Sequence, residues 1–328
     1  MPNALNQITA QDYNDLRTKI LSVLGTGAAS YGYGQVYNSS AVTVASPSER
    51  DTTVGIVTAA QWDALRYDLA NLRVHQTGID HTKPPPLLVD ANIGNLIGYG
   101  ATYPLVNYNT LADLAIANRF TLASSRAETL VGATTPTYTS TWSTGVYSTF
   151  TVNFATAAAC RFFFNTGCQI RFSFTRTGGS NTAQNEEWSN LLANLGVASV
   201  GGVGIYSLNN TTWYEMYRSS SSALYAGYNN YVKIECKSNV ADNSTGTATQ
   251  ITIKVSLVDA YVDQPVLNSG GSTNTSSMFL PDDVVDGSLV ATATQYHAAL
   301  LPLEPISAGN YMTVPSPSSI SASVFATI

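Results

Sequence analysis

Residues 249–258, TQITIKVSLV, carry Ile251, Ile253, Val255 and Leu257 at every second position, with Thr252, Lys254 and Ser256 between them. Successive side chains of a β-strand point to opposite faces, so strict alternation predicts a strand buried on one side only. The same period runs through VYSTFTVNF (146–154), where Phe150, Val152 and Phe154 alternate with Thr151 and Asn153. It recurs in 230–237, with Val232, Ile234 and Cys236 inward, and in QIRFSF (169–174), with Ile170, Phe172 and Phe174 opposed to Arg171 and Ser173. RFFF (161–164) and QIRFSF flank Asn165-Thr166-Gly167, which predicts a hairpin. Further strands are predicted near 199–208, 212–218, 288–297, 310–314 and 320–327. One helix interrupts them. Asn185 is its expected cap, Glu186 and Glu187 suit its positive end, Trp188, Leu191, Leu192 and Leu195 form a stripe, and Gly196 is the stop. Seven or more short alternating strands with turn signals predict an antiparallel β-sandwich.

Outward from this body the period changes. In the first 120 residues Thr9 and Asp12 form an acidic variant of the capping box, and Tyr13, Leu16, Ile20 and Leu24 follow at helical spacing up to Gly25. ITAQDYNDLRTKI (8–20) aligns with VTAAQWDALRYDL (57–69), where Thr58 and Gln61 are the box and Trp62, Leu65, Leu69 and Leu72 the stripe. A weaker echo, YNTLADLAI (108–116), matches Tyr108-Asn109 and Leu111 to Tyr13-Asn14 and Leu16. The expected organisation is therefore α+β: a helical module with long loops at 1–120, a Thr/Ser-rich linker at 121–145, and a β-sandwich body with a C-terminal strand extension at 146–328. The stripes around Tyr13, Leu16 and Ile20 and around Trp62, Leu65 and Leu69 are expected to pack on each other and to dock the chain on a larger assembly.

The 328 residues are 44% hydrophobic but only 11% charged, against about 25% charged in an average soluble domain. Uncharged polar residues fill the difference: 38 Thr, 34 Ser and 25 Asn. Disorder pairs low hydrophobicity with high net charge, and neither holds over this chain. A net charge of −6 and a pI near 5.0 argue against nucleic acid as a partner. No apolar run reaches the roughly 18 residues of a membrane helix, and no leader pattern opens the chain. Three cysteines leave one over from any disulfide set, which suits folding in a reducing cytosol.

The catalytic inventory is thin, and the expectation is a protein without enzymatic activity, cofactor or metal. Of the three histidines, His75, His81 and His297, the first two stand six apart, match no zinc spacing and read as surface loop histidines. Cys160, Cys168 and Cys236 fall on strand patterns among aromatics, as buried inert thiols do. Glu186 and Glu187 point away from each other on a helix. Glu215 and Glu235 lie on strand patterns near tyrosines, the only hint of paired carboxylates. GGVG (201–204) precedes no helix and reads as close strand packing. Asp282, Asp283 and Asp286 before Gly287 offer carboxylates for calcium, but not at EF-hand spacing, and read rather as a solvated turn. Tyr206, Trp213, Tyr214, Tyr217, Tyr225, Tyr228 and Tyr231 form the one conspicuous cluster. Trp213, Tyr214, Tyr217, Tyr225 and Tyr228 are candidates for a protein interface or a glycan contact, because such rings give rigid area with a polar handle.

These residues carry a resemblance. ITAQDYNDLRTKILSVLGTG (8–27) with YGYGQ (31–35) resembles the N-terminal module of virion structural proteins of large contractile-tailed bacteriophages, especially those of marine or cyanobacterial hosts. FATAAACRFFFNTGCQIRFSFTRTGGSNTAQNEEWSNLLANLG (154–196), ITIKVSLVDAY (251–261) and VDGSLVATATQ (285–295) are similar to segments of the same proteins. The resemblance implies a virion component assembled in host cytoplasm, in neck, tail or fibre attachment, with other virion proteins as partners and a homo-oligomer, such as a trimer, as its state. Low charge fits that expectation, since Ser, Thr and Asn are desolvated at interfaces far more cheaply than ions. Two alternatives stand beside a structural connector: an adhesin that recognises host surface glycan, and a capsid decoration protein.

Overall fold

The computed structural model of the chain describes residues 9–27, 31–44, 55–78, 105–202, 204–219, 229–241, 246–260, 284–302 and 311–328. Helices precede a mainly β region in an α+β fold, and the residues gather into two compact units. The first unit draws on the chain up to Glu128, on Ala158–Cys168 and on His297–Ser316; the second takes Thr129–Ala157, Gln169–Tyr296 and Pro317–Ile328. The units therefore do not follow the expected boundaries at 120 and 146. Two pieces of the expected body cluster with the helices.

In the helical unit, α1 (Ala10–Leu24) and α2 (Ala59–Thr77) begin at Thr9 and Thr58, each closed into a capping box by Asp12 and Gln61. The threonine oxygen takes the N–H three residues on, and the Asp or Gln side chain takes the cap's own N–H, so two open donors are satisfied. The third echo is also helical, α3 (Leu105–Ala117). One core joins Tyr13, Leu16 and Ile20 to Trp62, Leu65 and Leu69 and to Tyr108, Ala112 and Ala115. Polar groups of the helices hold the segment 38–42. Asp68 accepts the backbone N–H of Asn38 and Ser39 at 2.8 and 2.9 Å, and the Asn14 amide brackets Val42 through its N–H and its carbonyl at 3.0 and 2.7 Å.

A fourth helix, α4 (Ala157–Asn165), replaces the predicted first strand of the 161–174 hairpin. The three phenylalanines favour a strand, but the preceding alanines favour a helix, and Cys160, Phe163 and Phe164 share one buried helical face. Asn165-Thr166-Gly167 is consequently a helix end and not a hairpin turn. Thr166 Oγ1 donates back to the Phe162 carbonyl at 2.9 Å, and Gly167 follows with φ 82°. Cys160 thus lies on a helix, though all three thiols are free and buried as expected.

In the β unit, β1 (Ala127–Val131) and β2 (Thr137–Tyr138) occupy the stretch expected to be a linker, and both pair with β9 (Ser288–Ala298). Threonine supports strands as readily as loops, so a Thr-rich composition decided nothing there. The first sheet runs β1-β9-β4-β5, with β4 (Gln169–Thr177) and β5 (Val197–Gly201). The second runs β12-β3-β8-β7-β6. Its strands are β3 (Gly145–Asn153), β6 (Tyr214–Arg218), β7 (Tyr231–Ser238), β8 (Gln250–Val258) and β12 (Ser319–Ala322), and β13 (Ala326–Thr327) also pairs with β3. The inward rows match the predicted alternation. Phe150 of β3 meets Phe172 of β4 edge to face at 5.0 Å, which seats one sheet on the other.

Three local expectations change. The strand near 199–208 stops at Gly201, because Gly202 and Gly204 adopt φ 95° and 86° and turn the chain into a short 3-10 helix at Ile205–Ser207. The inserted helix α5 (Ala183–Leu195) is capped by Thr182, not Asn185. The predicted strand at 310–314 shortens to β11 (Tyr311–Met312), paired with β10 (Leu301–Pro302) in the helical unit.

Candidate functional site

The site is built by register on the outer face of the second sheet. Alternation turns Tyr147 and Thr149 of β3, Lys254 and Ser256 of β8, and Tyr231, Lys233, Glu235 and Lys237 of β7 away from the core. Pairing then lines them into two rows across the strands: Thr149, Lys254, Glu235 and Glu215 in one, and Tyr147, Ser256, Lys233 and Arg218 in the next. A β-bulge between Glu215 and Tyr217 of β6 brings Glu215 and Arg218, which a regular strand sends to opposite faces, onto the same side. Three of the five lysines in the chain stand on this face.

Its charges are held in a fixed pattern. Glu235 lies between Lys254 at 2.8 Å and Lys233 at 3.1 Å. Burial works to raise its carboxyl, and the two lysines outweigh that and hold it below the usual carboxylate range. Glu215 accepts from Arg218 at 2.6 Å and is likewise held low, first by that hydrogen bond. Arg218 also covers the Tyr231 ring at 4.2 Å, while Lys237 and Lys254 sit 4.6 and 4.7 Å from the centre of the Trp213 ring. Four cations thus surround two carboxylates, a local positive excess in a chain of net charge −6. Two of these cations, Lys233 and Lys254, line a groove of about 550 Å³ together with Tyr147, Trp213, Tyr231 and Ile328.

This chemistry suits binding. Two carboxylates both held ionised by cations give no proton donor for general acid catalysis of the glycosidase kind. The thiols are equally quiet. Burial pushes Cys160 up to about 12 and Cys168 up to about 11, and raises Cys236 as well.

The other expected site residues fall as follows. Trp213 is in the groove, Tyr214 is exposed on the edge strand β6, and Tyr217 is half-buried opposite Ile234. Tyr225, Tyr228, His81, Asp282 and Asp283 lie outside the described residues. Asp286 is occupied structurally. Its carboxylate accepts from the Ser180 N–H at 2.9 Å, from Asn185 Nδ2 and from Arg176, so it pins the turn before α5. The Ser180 N–H, before its other partners, holds that carboxyl low. His75 is buried on α2 and is not a surface loop residue, and His297 is buried on β9; their Nε2 atoms face the carbonyls of Thr166 at 2.7 Å and Val314 at 2.9 Å. Tyr13, Leu16, Ile20, Trp62, Leu65 and Leu69 are all at most 3% exposed. They do pack on one another, and that packing consumes the surface a docking role needs, so they are the core of the helical unit.

Sequence reasoning found Trp213 and missed Lys233, Lys237, Lys254 and Arg218. The available signal was the placing of scarce lysines at outward positions of two predicted strands. Among the described residues no helix is long and apolar enough to cross a membrane, and no cluster of three or more His, Cys, Asp or Glu has metal-binding proximity. No protein-family model, curated protein or solved structure matches the chain.

Proposed function

We propose that the protein is a non-enzymatic structural component of a tailed-phage virion, a neck, tail or fibre-attachment connector acting through low-charge protein interfaces. The observation that carries this reading is the outer face of the first sheet. There Ser199, Arg171 and Thr294 form one cross-strand row, and Val197, Ser173 and Thr292 the next. The one ion in these rows, Arg171, is laid over the Tyr296 ring at 3.4 Å. Hydroxyls cost far less to take out of water than ions, which cost several kcal/mol each, and the ring covers one face of the single guanidinium. The likeness of the quoted segments to virion proteins supports the particle as the place of assembly. The test replaces Ser173 and Thr294 by lysine and measures incorporation into purified particles, with circular dichroism to confirm the fold. Folded but unincorporated protein supports the interface; full incorporation removes that face from the reading.

The groove on the second sheet favours a second reading, a glycan-binding adhesin. Its aromatic walls, hydroxyls and fixed cations are recognition chemistry, and nothing in the connector reading requires them.

A further inference from the structure

We infer that the groove on the second sheet is a site for an acidic saccharide, whose carboxylate is taken by Lys254 and Lys233 and whose ring packs between Tyr147 and Tyr231. The inference rests on the adhesin reading and narrows it from glycan in general to one chemical class.

Charge points to the acid. One carboxylate, Glu235, is shared between two ammonium groups at 2.8 and 3.1 Å, so a positive charge is left over in the groove. An arriving carboxylate completes the lysine pair without displacing Glu235, because each ammonium has three donors. Electrostatic complementarity of this kind rewards an anion and penalises its neutral analogue.

Pre-organisation points the same way. Lysine side chains are ordinarily mobile, and fixing one on binding costs affinity. Here Lys254 is already held against Trp213 at 4.7 Å and against Glu235, and Lys237 against the same ring at 4.6 Å. Trp213 is therefore a positioning residue for the ammonium groups as well as a wall.

The rest of the lining points to a sugar and not to a bare anion. Ser256 of β8, two residues from Lys254, and Thr149 of β3, paired with Lys254, add hydroxyls to the lining, and Tyr147 and Tyr231 add rings with hydroxyl tips. A volume near 550 Å³ falls within the roughly 300–1,000 Å³ common for small-ligand sites. Glu215 and Glu235 stay ionised and ion-paired, so the bound sugar is held and not cleaved. A polynucleotide wants a longer run of cations than this face offers.

The experiment uses the full chain in calorimetric titrations with tetragalacturonate, tetragalactose and tetraglutamate. Tetragalacturonate should bind at least tenfold more tightly than either comparator, and its affinity should fall severalfold between 50 and 300 mM salt. Lys254→Met and Tyr231→Ala should each weaken it fivefold or more while the melting temperature stays within a few degrees. Trp213→Phe, a milder change, should weaken it less and serves if the others unfold. No binding of tetragalacturonate, or binding that the groove variants leave unchanged, overturns the inference. Equal binding of tetraglutamate overturns it in favour of an acidic protein segment. Tetragalactose bound as tightly, at a place indifferent to Lys254→Met, overturns the acidic groove and leaves the adhesin reading standing.

Discussion

Tyr13 and Trp62, equivalent positions of the two repeated helix segments, meet in the core with ring centroids 6.4 Å apart and their planes tilted by 50°. The Tyr13 hydroxyl lies 3.1 Å from the carbonyls of both Gln61 and Ser40, to which its single proton is shared. Tyr108 of the third echo stands edge-on to Trp62 at 5.0 Å. The repeat thus packs on itself, each copy supplying one ring to a common cluster.

Removing that cluster should unfold the helical unit. Trp62→Ala is expected to cost about 3–5 kcal/mol, the range for a buried large aromatic, and Tyr13→Phe about 1 kcal/mol for the lost hydroxyl bond. Urea denaturation of the two variants checks the ranking. A Trp62→Ala loss below that of Tyr13→Phe contradicts the packing described. For the same reason Leu16→Asp with Leu65→Asp should be a folding lesion, since both side chains are buried in the same core.

His75 makes stability depend on pH. Burial holds its imidazole down to about 4, although the Thr166 carbonyl pulls the other way, and Nδ1 has no hydrogen-bond partner among the described residues. The unfolded chain takes up this proton below about pH 6.5 and the folded chain only near 4, so stability falls as pH falls through that window, on the order of 3 kcal/mol in all. Melting curves from pH 7 to 4 should show a shallower decline for His75→Gln than for the unaltered protein. Parallel declines would remove His75 from this role.

Two glycines separate backbone strain from crowding. Both Gly167 and Gly178 have positive φ, 82° and 70°. A Cβ on Gly167 meets backbone atoms of Thr121 and Leu122 at 2.7 and 2.5 Å, whereas one on Gly178 meets nothing within 4 Å. Gly178→Ala should therefore cost about 1–2 kcal/mol, the conformational part alone, and Gly167→Ala distinctly more. Equal costs in thermal unfolding would mean that the turn after α4 opens freely.

The thiols should be silent in the native protein. With all three cysteines buried and Cys160 and Cys168 pushed up to about 12 and 11, an aromatic disulfide reagent at pH 8 is expected to release no colour until denaturant is added, and then to count three groups. A fast native thiol would place one of them in an open site.

Local chemistry in the sequence determined much of this protein. The capping boxes at Thr9 and Thr58 and the alternation of β3, β4, β7 and β8 are written in neighbouring residues, because caps and strand faces depend on spacing alone. Where a local pattern fits two structures, the tertiary fold chose. Asn165-Thr166-Gly167 serves a hairpin or a helix end equally, and packing of Cys160, Phe163 and Phe164 on one face settled it as the end of α4. The groove was beyond any local pattern. Its rows join residues of β3, β6, β7 and β8 that are up to about a hundred positions apart, and only strand register, with the bulge in β6, brings Lys254, Glu235, Lys233 and Arg218 onto one face. Register is a long-range property: a shift of one residue turns every side chain to the other side of the sheet.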